Sequence, residues 1–356
     1  MDAKPTSWWA RWFGWGGRGS TPPALATPRA TPPTPRVVGP LPTPADLAAL
    51  PSRTPVAAPW HGVEAPPSSD ADVVRTALLQ RLYHELDRAP SEGDRTFLNR
   101  VVRDCGAARL ELPLFPDAAI RLDRLLRAGD PPVSEVAALV RRETDLVRRV
   151  WQHASGAAYR GQPPSTLDQA IVRVGFESLW RIGMSACVNG PVFRVRGFQD
   201  QANRARACAI VASEVAHTVG AWHPDAYLSG LLHGVGKLVF YRCAVVKPPA
   251  PVPDPARVER LAHALHPWVG VLVADAWGFS PGVGAGIAYW PNVEACPEAW
   301  RDVARVVRVA SIAAETTAEA RAGRDCGGLA ALAEIEGVDP AKVLSLADAA
   351  WAGVAR

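Results

Sequence analysis

Several features that mark large protein classes are missing from this sequence of 356 residues. It contains no run of about 18 uncharged apolar residues, so we expect no transmembrane helix. Its six cysteines are scattered without a CxxC pair, which argues against a cysteine-built zinc site or a disulfide framework and favours reduced thiols in a cytoplasm. The net charge of +4 is too small to demand or exclude nucleic acid. Strand-like alternation of useful length is also absent, which leaves a helical fold.

Residues 1–71 are predicted to be disordered and to lack a core. Proline, of which the whole chain has 34, is crowded there, and it removes backbone donors and blocks helices. Little apolar surface is present to offset the chain entropy. We therefore expect an extended, polyproline-like linker, which serves either as a plain spacer or as a docking site for a proline-reading module.

Ahead of the proline-rich stretch, the segment MDAKPTSWWARWFGWGGR concentrates tryptophan among basic residues. Indoles prefer interfaces and basic side chains prefer anionic lipid. We therefore expect this head to contact a membrane surface weakly, to bind a partner protein, or to be a disordered tail without a role. Arg11 interrupts its apolar stretch, so we expect no signal peptide. The tryptophans concerned are Trp8, Trp9, Trp12 and Trp15.

From about Asp72 onward the spacing of apolar residues becomes helical and remains so. Val74, Leu78 and Leu82 stand four residues apart, as on one stripe of a helix, and later segments repeat such patterns. In the segment SEVAALVRRETDLVRRVWQHA, Ser134 is predicted to cap a helical run. The sequence therefore predicts an all-α fold.

The segment SGLLHGVGKLVFY combines an apolar helix with a glycine-rich turn and a lysine. A phosphate loop of the form GxxxxGK[ST] is excluded, since Leu231 stands at its first glycine and Leu238 at the hydroxyl that would bind magnesium. No predicted strand precedes the turn either. We therefore expect no nucleoside-triphosphate site of this type.

This segment instead resembles the central motif of HD-type domains, in which GLLHD-I-G-K is usual. Four further segments narrow the resemblance to the HDOD (HD-related output domain) family, and together they run from about Leu110 to about Glu315. They are LELPLFPDAAIRLDRLL, VRRETDLVRRVWQHASGAAYRG with Ser155 and Tyr159, STLDQAIVRVGFESLWRIGM with Ala170, Ile171 and Gly175, and LAHALHPWVGVLVADAWGFSP with His266, Gly270, Trp277 and Gly278.

The resemblance implies a two-lobed helical module over residues 110–320, with lobes at about 110–195 and 198–320. Residues 72–109 are expected to form a helical extension, and residues 321–356 a helical tail. HDOD proteins resemble regulatory modules more than enzymes, so the resemblance also implies a role in signalling.

It further implies where an active HD phosphohydrolase would hold its divalent metal. Matched by motif order, the first His falls near Arg204 and the His-Asp doublet falls at His233 and Gly234. The late Asp falls near Ser311, and the later His pair falls near Tyr289 and Trp290. One neutral imidazole does not hold a divalent ion against water, because useful sites need about three or more protein ligands. We therefore expect no metal, no other cofactor and no catalysis.

We expect these residues, with Lys237, to form a vestigial pocket, and two interpretations of it remain open. His233 is either a core histidine hydrogen-bonded to a backbone carbonyl, or it joins Arg204 and Lys237 in binding an anion such as a nucleotide phosphate. Lys237 is equally compatible with a solvated position. His263 and His266, three residues apart on one helical face, are expected to pack rather than to bind metal.

The function expected is that of a cytoplasmic bacterial signalling module that binds a partner protein or a small ligand without catalysis. The alternatives are a metal-free receptor for a nucleotide such as a cyclic dinucleotide and a residual metal-dependent phosphohydrolase. Nucleic acid is not an expected partner, because the basic run lacks interleaved aromatics and alternates with acidic residues, as on a solvated face. That run comprises Arg141, Arg142, Arg148 and Arg149.

Overall fold

Helices account for nearly all of the regular structure, and the predicted all-α class is confirmed. A computed structural model describes residues 54–107, 117–129, 131–156, 162, 164–188, 199–218, 224–246 and 250–354. The only strands among these residues are β1 (Thr54–Pro55) and β2 (Arg324–Asp325), which pair in parallel. No helix in these ranges has the length and apolar character needed to cross a bilayer. The tryptophans of the head lie outside the described residues: Trp8, Trp9, Trp12 and Trp15.

Fifteen α-helices follow one another along the described residues. The first seven are α1 (Ala71–Asp87), α2 (Glu92–Gly106), α3 (Asp117–Ala128), α4 (Val133–Val140), α5 (Thr144–Ala154), α6 (Leu167–Val174) and α7 (Phe176–Val188). The others are α8 (Gln199–Thr218), α9 (Pro224–Leu232), α10 (Gly236–Ala244), α11 (Pro255–Ala276), α12 (Pro281–Tyr289), α13 (Glu298–Arg321), α14 (Gly328–Ala333) and α15 (Pro340–Val354).

Helices α3 to α7 pack on one another and form the first lobe. Its core holds Ile171 and Leu179, which are both completely buried. Between them the chain turns at Gly175, whose φ of 80° favours glycine because a side chain would strain this conformation. The predicted cap at Ser134 is wrong, since Pro132 occupies the N-cap of α4 and leaves Ser134 inside the first turn.

Helices α8 to α13 form the second lobe, in which α8 packs along α13 and α10 packs along α11. Two close approaches in it require glycine. A Cβ at Gly236, the first residue of α10, would lie 2.1 Å from the carbonyl oxygen of His266 on α11, and a Cβ at Gly230 of α9 would lie 3.1 Å from the Cα of Ala209 on α8. These approaches bring the turn at His233 deep into the lobe, against α8 and α11.

One partly buried ion-pair network crosses between the lobes. Arg127 of α3 donates from Nε to both carboxylate oxygens of Asp123, each at 2.9 Å, and from Nη1 to Asp225 of α9 at 2.9 Å. Trp180 donates to Asp123 and Ser280 to Asp225, each at 2.8 Å. Burial alone would lower the pKa of Arg127, but the two carboxylates outweigh it and raise that pKa. The network therefore holds α3 of the first lobe against α9 of the second.

The folded part begins earlier than the expected boundary near Asp72. Thr54 starts the strand that pairs with β2, and Trp60 is buried in a core shared with α8, α13 and α15. The carbonyl of Glu64 accepts a hydrogen bond from Trp268 of α11 at 3.0 Å. The sequence did not indicate this packing because prolines dominate the segment and Trp60 is its one large apolar anchor.

Candidate functional site

His233 follows the last residue of α9 and is buried in the turn that leads into α10. Its Nδ1 lies 2.7 Å from the carbonyl oxygen of Gly230, and because a carbonyl only accepts, Nδ1 is the atom that carries the proton. Burial lowers the pKa of His233, since the charged ring would lose its hydration. The ring is therefore neutral at physiological pH and hydrogen-bonded as one of the two interpretations of the sequence expects.

The space beside Gly234 is taken by an amide from α8. A Cβ built on Gly234 would lie 2.4 Å from Nε2 of Gln201 and 3.1 Å from its Cδ. Gln201 is itself buried. Where an HD doublet would carry a carboxylate, this chain thus has a glycine with a glutamine side chain in contact. Gln201, which lies one helical turn before Arg204 on α8, is not among the site residues that the sequence predicts.

Arg204 is held between two glutamates of α13. Glu315 accepts a hydrogen bond from its Nη1, and Glu319 accepts one from its Nη2 at 3.2 Å. Both glutamates are buried, with 8% and 7% exposure. Burial alone would lower the pKa of Arg204, but these carboxylates outweigh it and raise that pKa. A hydrogen bond from Arg324, helped by Arg204, lowers the pKa of Glu319. The guanidinium therefore stays charged and is neutralised locally.

Lys237 is half-buried near the start of α10, close to this charged group. Burial is the main cause that lowers its pKa, repulsion from Arg204 adds to the effect, and attraction by Glu315 and Glu259 opposes it. No described residue forms an ion pair or a hydrogen bond with its ammonium group. The side-chain nitrogen of Lys237 thus has no direct partner in the described part of the chain.

Trp290 lies between His233 and a second buried histidine, His266. Its ring centroid is 5.7 Å from that of His233, edge to face, and 6.0 Å from that of His266. Nδ1 of His266 donates to the carbonyl of His263 at 2.8 Å, and burial, together with nearby Lys237, lowers the pKa of His266 well below its usual value. Trp290 is 2% exposed, yet no described residue accepts from its Nε1. The site therefore contains a buried donor without a partner among those residues.

Tyr289 and Ser311, the other two predicted site residues, lie in different places relative to His233 and Arg204. Tyr289 hydrogen-bonds with Ser69, which precedes α1, and burial is the main cause that raises its pKa. Its described contacts thus lie toward the N-terminal segment rather than toward His233. Ser311 is buried on α13, one turn before Glu315 and on the same helical face. The predicted residues that gather around Trp290 and the Arg204 ion pair are His233, Gly234 and Lys237.

Three polar residues of this site were absent from the sequence prediction: Gln201, Glu315 and Glu319. The spacing of four between Ser311, Glu315 and Glu319 was the available signal, because it puts all three on one face of α13. Nothing local to Arg204 indicated that its partners stand more than a hundred positions away. Within the described residues no three His, Cys, Asp or Glu side chains form a group that could hold a metal ion.

A sequence model of the HDOD domain matches residues 112–293, just over half of the chain. The chain therefore belongs to the HDOD family. A curated relative, an uncharacterized protein of Treponema pallidum (strain Nichols), is 22% identical over 215 residues, which cover 57% of this chain and 42% of the relative. The match thus spans well under half of that relative's length.

The chain is also similar to solved structures from two further bacteria. One, named "Putative phosphohydrolase", of Shewanella amazonensis SB2B, has a TM-score of 0.50 at 23% identity, covering 73% of this chain and 96% of that chain. An HDOD domain protein with unknown function from Geobacter sulfurreducens has a TM-score of 0.48 at 19% identity, covering 72% and 96%. At such identities the likeness to the Shewanella protein concerns the fold alone.

Proposed function

We propose that this HDOD chain is a non-catalytic regulatory module of signal transduction that binds a protein partner or a small ligand. The observation that carries the proposal is the guanidinium of Arg204, which Glu315 and Glu319 hold near His233. The guanidinium of Arg204 is thus already paired with the carboxylates that a divalent ion would need as ligands. A buried ion pair of this kind is costly to open, because either charge alone would be stranded.

The other residues of the site do not fit a divalent metal either. Gly234 offers no side-chain ligand, and the amide of Gln201 fills the space beside it. An ion at His233 would have only Nε2 to bind, since Nδ1 is hydrogen-bonded to Gly230, and it would add positive charge close to Arg204. About three or more protein ligands are normally required. Regulation by docking therefore suits this site better than phosphodiester hydrolysis.

Metal analysis and activity assays on the full chain test the absence of catalysis. We expect no stoichiometric manganese, iron or zinc by mass spectrometry, and no hydrolysis of cyclic dinucleotides when manganese is added. His233→Ala is the informative variant, and His153→Ala, at an exposed position of α5, is its matched control. Turnover that the first variant abolishes and the second leaves intact would overturn the proposal.

Capture of partners from the native host tests the docking function. Two baits are compared, the full chain and a version that starts at Thr54, which keeps Trp60 in the core and the β1–β2 pair intact. We expect the same specific protein on both baits. A partner found only on the full chain would place recognition in residues 1–53 and contradict docking to the helical module.

A small-ligand receptor is the second candidate, and Lys237 with Trp290 favours it. Among the described residues the ammonium has no direct partner and the buried indole N–H has no acceptor, and both groups suit an anionic or oxygen-rich ligand. Calorimetry with a panel of cyclic dinucleotides tests this. Lys237→Met should remove binding, whereas Lys342→Met at an exposed position should not. If no cyclic dinucleotide of the panel gives a heat of binding, or if both variants weaken binding equally, the nucleotide candidate is rejected.

A further inference from the structure

A cleft beside the N-terminus of α1 is lined by none of the residues grouped around Arg204 and His233. Its volume is about 370 Å³, within the range of about 300–1,000 Å³ that is typical of ligand sites. Residues 68–71, the last two turns of α11 and the beginning of α12 form its walls. The space beside Gly284 of α12 is open, since a Cβ there would have no other atom closer than 3.8 Å. The cleft therefore has room for one or two side chains of a bound segment.

Two exposed carboxylates, Asp70 and Asp275, are the only ionisable side chains among the residues that line the cleft. Oδ1 of Asp70 caps α1 by accepting from the backbone N–H groups of Asp72 and Val73, at 2.9 and 3.1 Å, and its described bonds do not use Oδ2. No described residue forms an ion pair or a hydrogen bond with the side chain of Asp275. Neither carboxylate pairs with a cation in the described part of the chain, so the lining is acidic.

Apolar surface stands beside these carboxylates. Val271 and Ala274 of α11, and Phe279 ahead of α12, contribute it to the lining. The ring of Phe279 packs edge to face against that of Trp277, with 6.3 Å between the centroids, so this wall is held in place. Two carboxylates are fewer than the three or more ligands that a metal site normally needs. The combination instead suits a ligand that carries cationic groups on an apolar or aromatic body.

We propose that the cleft binds the basic, tryptophan-rich head of this same chain, residues 1–18. The head carries three basic side chains, Lys4, Arg11 and Arg18, against the single carboxylate of Asp2, so its charge is opposite in sign to that of the cleft. Its tryptophans lie in the same short segment and supply flat apolar surface for the wall formed by α11 and Phe279. The head thus combines the two properties that the lining selects.

The chain between the head and the cleft is long enough for this contact. Residues 19–53 are a proline-rich stretch of 35 residues, which at about 3.1 Å per residue can span up to about 110 Å. A domain of about 300 residues is only roughly 50 Å across. Such a tether gives the head an effective concentration of about 1 mM at the cleft. A head with an affinity of about 0.1 mM therefore occupies the cleft roughly nine-tenths of the time.

A fluorescein-labelled peptide of residues 1–18, titrated with the full chain at low salt and followed by fluorescence anisotropy, tests the proposal. The native chain is compared with a full-length variant whose head is neutralised by Lys4→Gln, Arg11→Gln and Arg18→Gln. We expect the peptide to bind the variant about tenfold more tightly, because the native head competes for the cleft. No binding to the variant, or equal affinity for the two chains, overturns the proposal.

Aspartate variants of the neutralised chain assign the binding to the cleft. Asp275→Asn and Asp70→Asn should each weaken peptide binding about threefold, as expected for the loss of one exposed charge pair. Asparagine also caps helices, so α1 should stay folded in the second variant. Asp302→Asn, at an exposed position of α13, should leave the affinity unchanged, and equal weakening by it would refute the assignment. Light scattering should give the native and neutralised chains the same mass. A mass that falls on neutralisation would place the head on a second copy and overturn binding within one chain.

Discussion

Replacing Arg204 by Met should be one of the most damaging single substitutions in the second lobe. Methionine keeps much of the side-chain volume but removes the charge that Glu315 and Glu319 share, and both glutamates are buried. Removing one partner of a buried ion pair costs about 3–5 kcal/mol, because a carboxylate is left uncompensated. Arg324 still bonds Glu319, so the loss falls mainly on Glu315, and we expect the lower limit of about 3 kcal/mol.

Urea unfolding followed by circular dichroism at neutral and acidic pH measures this loss and its cause. In the native chain the pKa of Glu319 is lowered, by Arg324 and in part by Arg204, so its contribution to stability is lost as the pH falls through that folded value. The difference in stability between the variant and the native chain should therefore shrink as the pH falls. Glu315→Gln added to Arg204→Met should recover most of the loss. A single variant within about 0.5 kcal/mol of the native chain, the range of ordinary surface changes, would refute the reasoning.

Three further perturbations address other parts of the chain. Gly236→Ala should lower the free energy of unfolding by more than about 2 kcal/mol, because its Cβ would lie 2.1 Å from a backbone carbonyl oxygen. Gly284→Ala should be neutral or stabilising, because its Cβ would have no other atom closer than 3.8 Å. Urea unfolding measures both changes. Stability should fall as the pH drops below about 6.5, by up to about 1.4 kcal/mol per pH unit for each of His233 and His266, because their lowered pKa values let the unfolded chain bind protons more readily. Deleting residues 1–17 should abolish co-sedimentation with anionic liposomes.

Each of these outcomes has a control. His153→Gln, at an exposed position, should leave the pH profile of stability unchanged, and His266→Gln should flatten it. A profile that both substitutions alter equally would contradict the assignment to buried rings. Equal losses from the two glycine substitutions would contradict the close approach of α10 to α11. Liposome binding that survives the deletion would show that the tryptophans do not supply the contact.

The helical class and the family could be read from the sequence because their signals are local. Apolar residues three or four apart reveal a helical stripe wherever it occurs, and motifs such as SGLLHGVGKLVFY keep their order along the chain. The place of His233 at the end of α9, and its hydrogen bond to a backbone carbonyl, were available for the same reason, since Gly230 lies only three residues earlier.

The charges around that histidine were not accessible in this way. Arg204 meets Glu315 and Glu319 only because α8 packs along α13, a pairing set by shape and burial rather than by any nearby residue. Gln201 enters the site because Gly234 leaves room for it, and a glycine in a sequence does not say what fills its space. Trp60 was likewise hidden among prolines, whose effect on the local backbone outweighed the single apolar side chain in the prediction.

The pairing of β1 with β2 joins the segment before the helices to the segment after them. A protein fused ahead of Thr54 would therefore emerge beside Arg324, at the same corner of the molecule as the two final helices. Removing either the N-terminal segment or α15 should destabilise the other, since Trp60 and α15 pack in the same core. The two flanks of the HDOD domain are thus held together by a backbone pairing and a shared core, so we expect a change in one flank to affect the stability of the other.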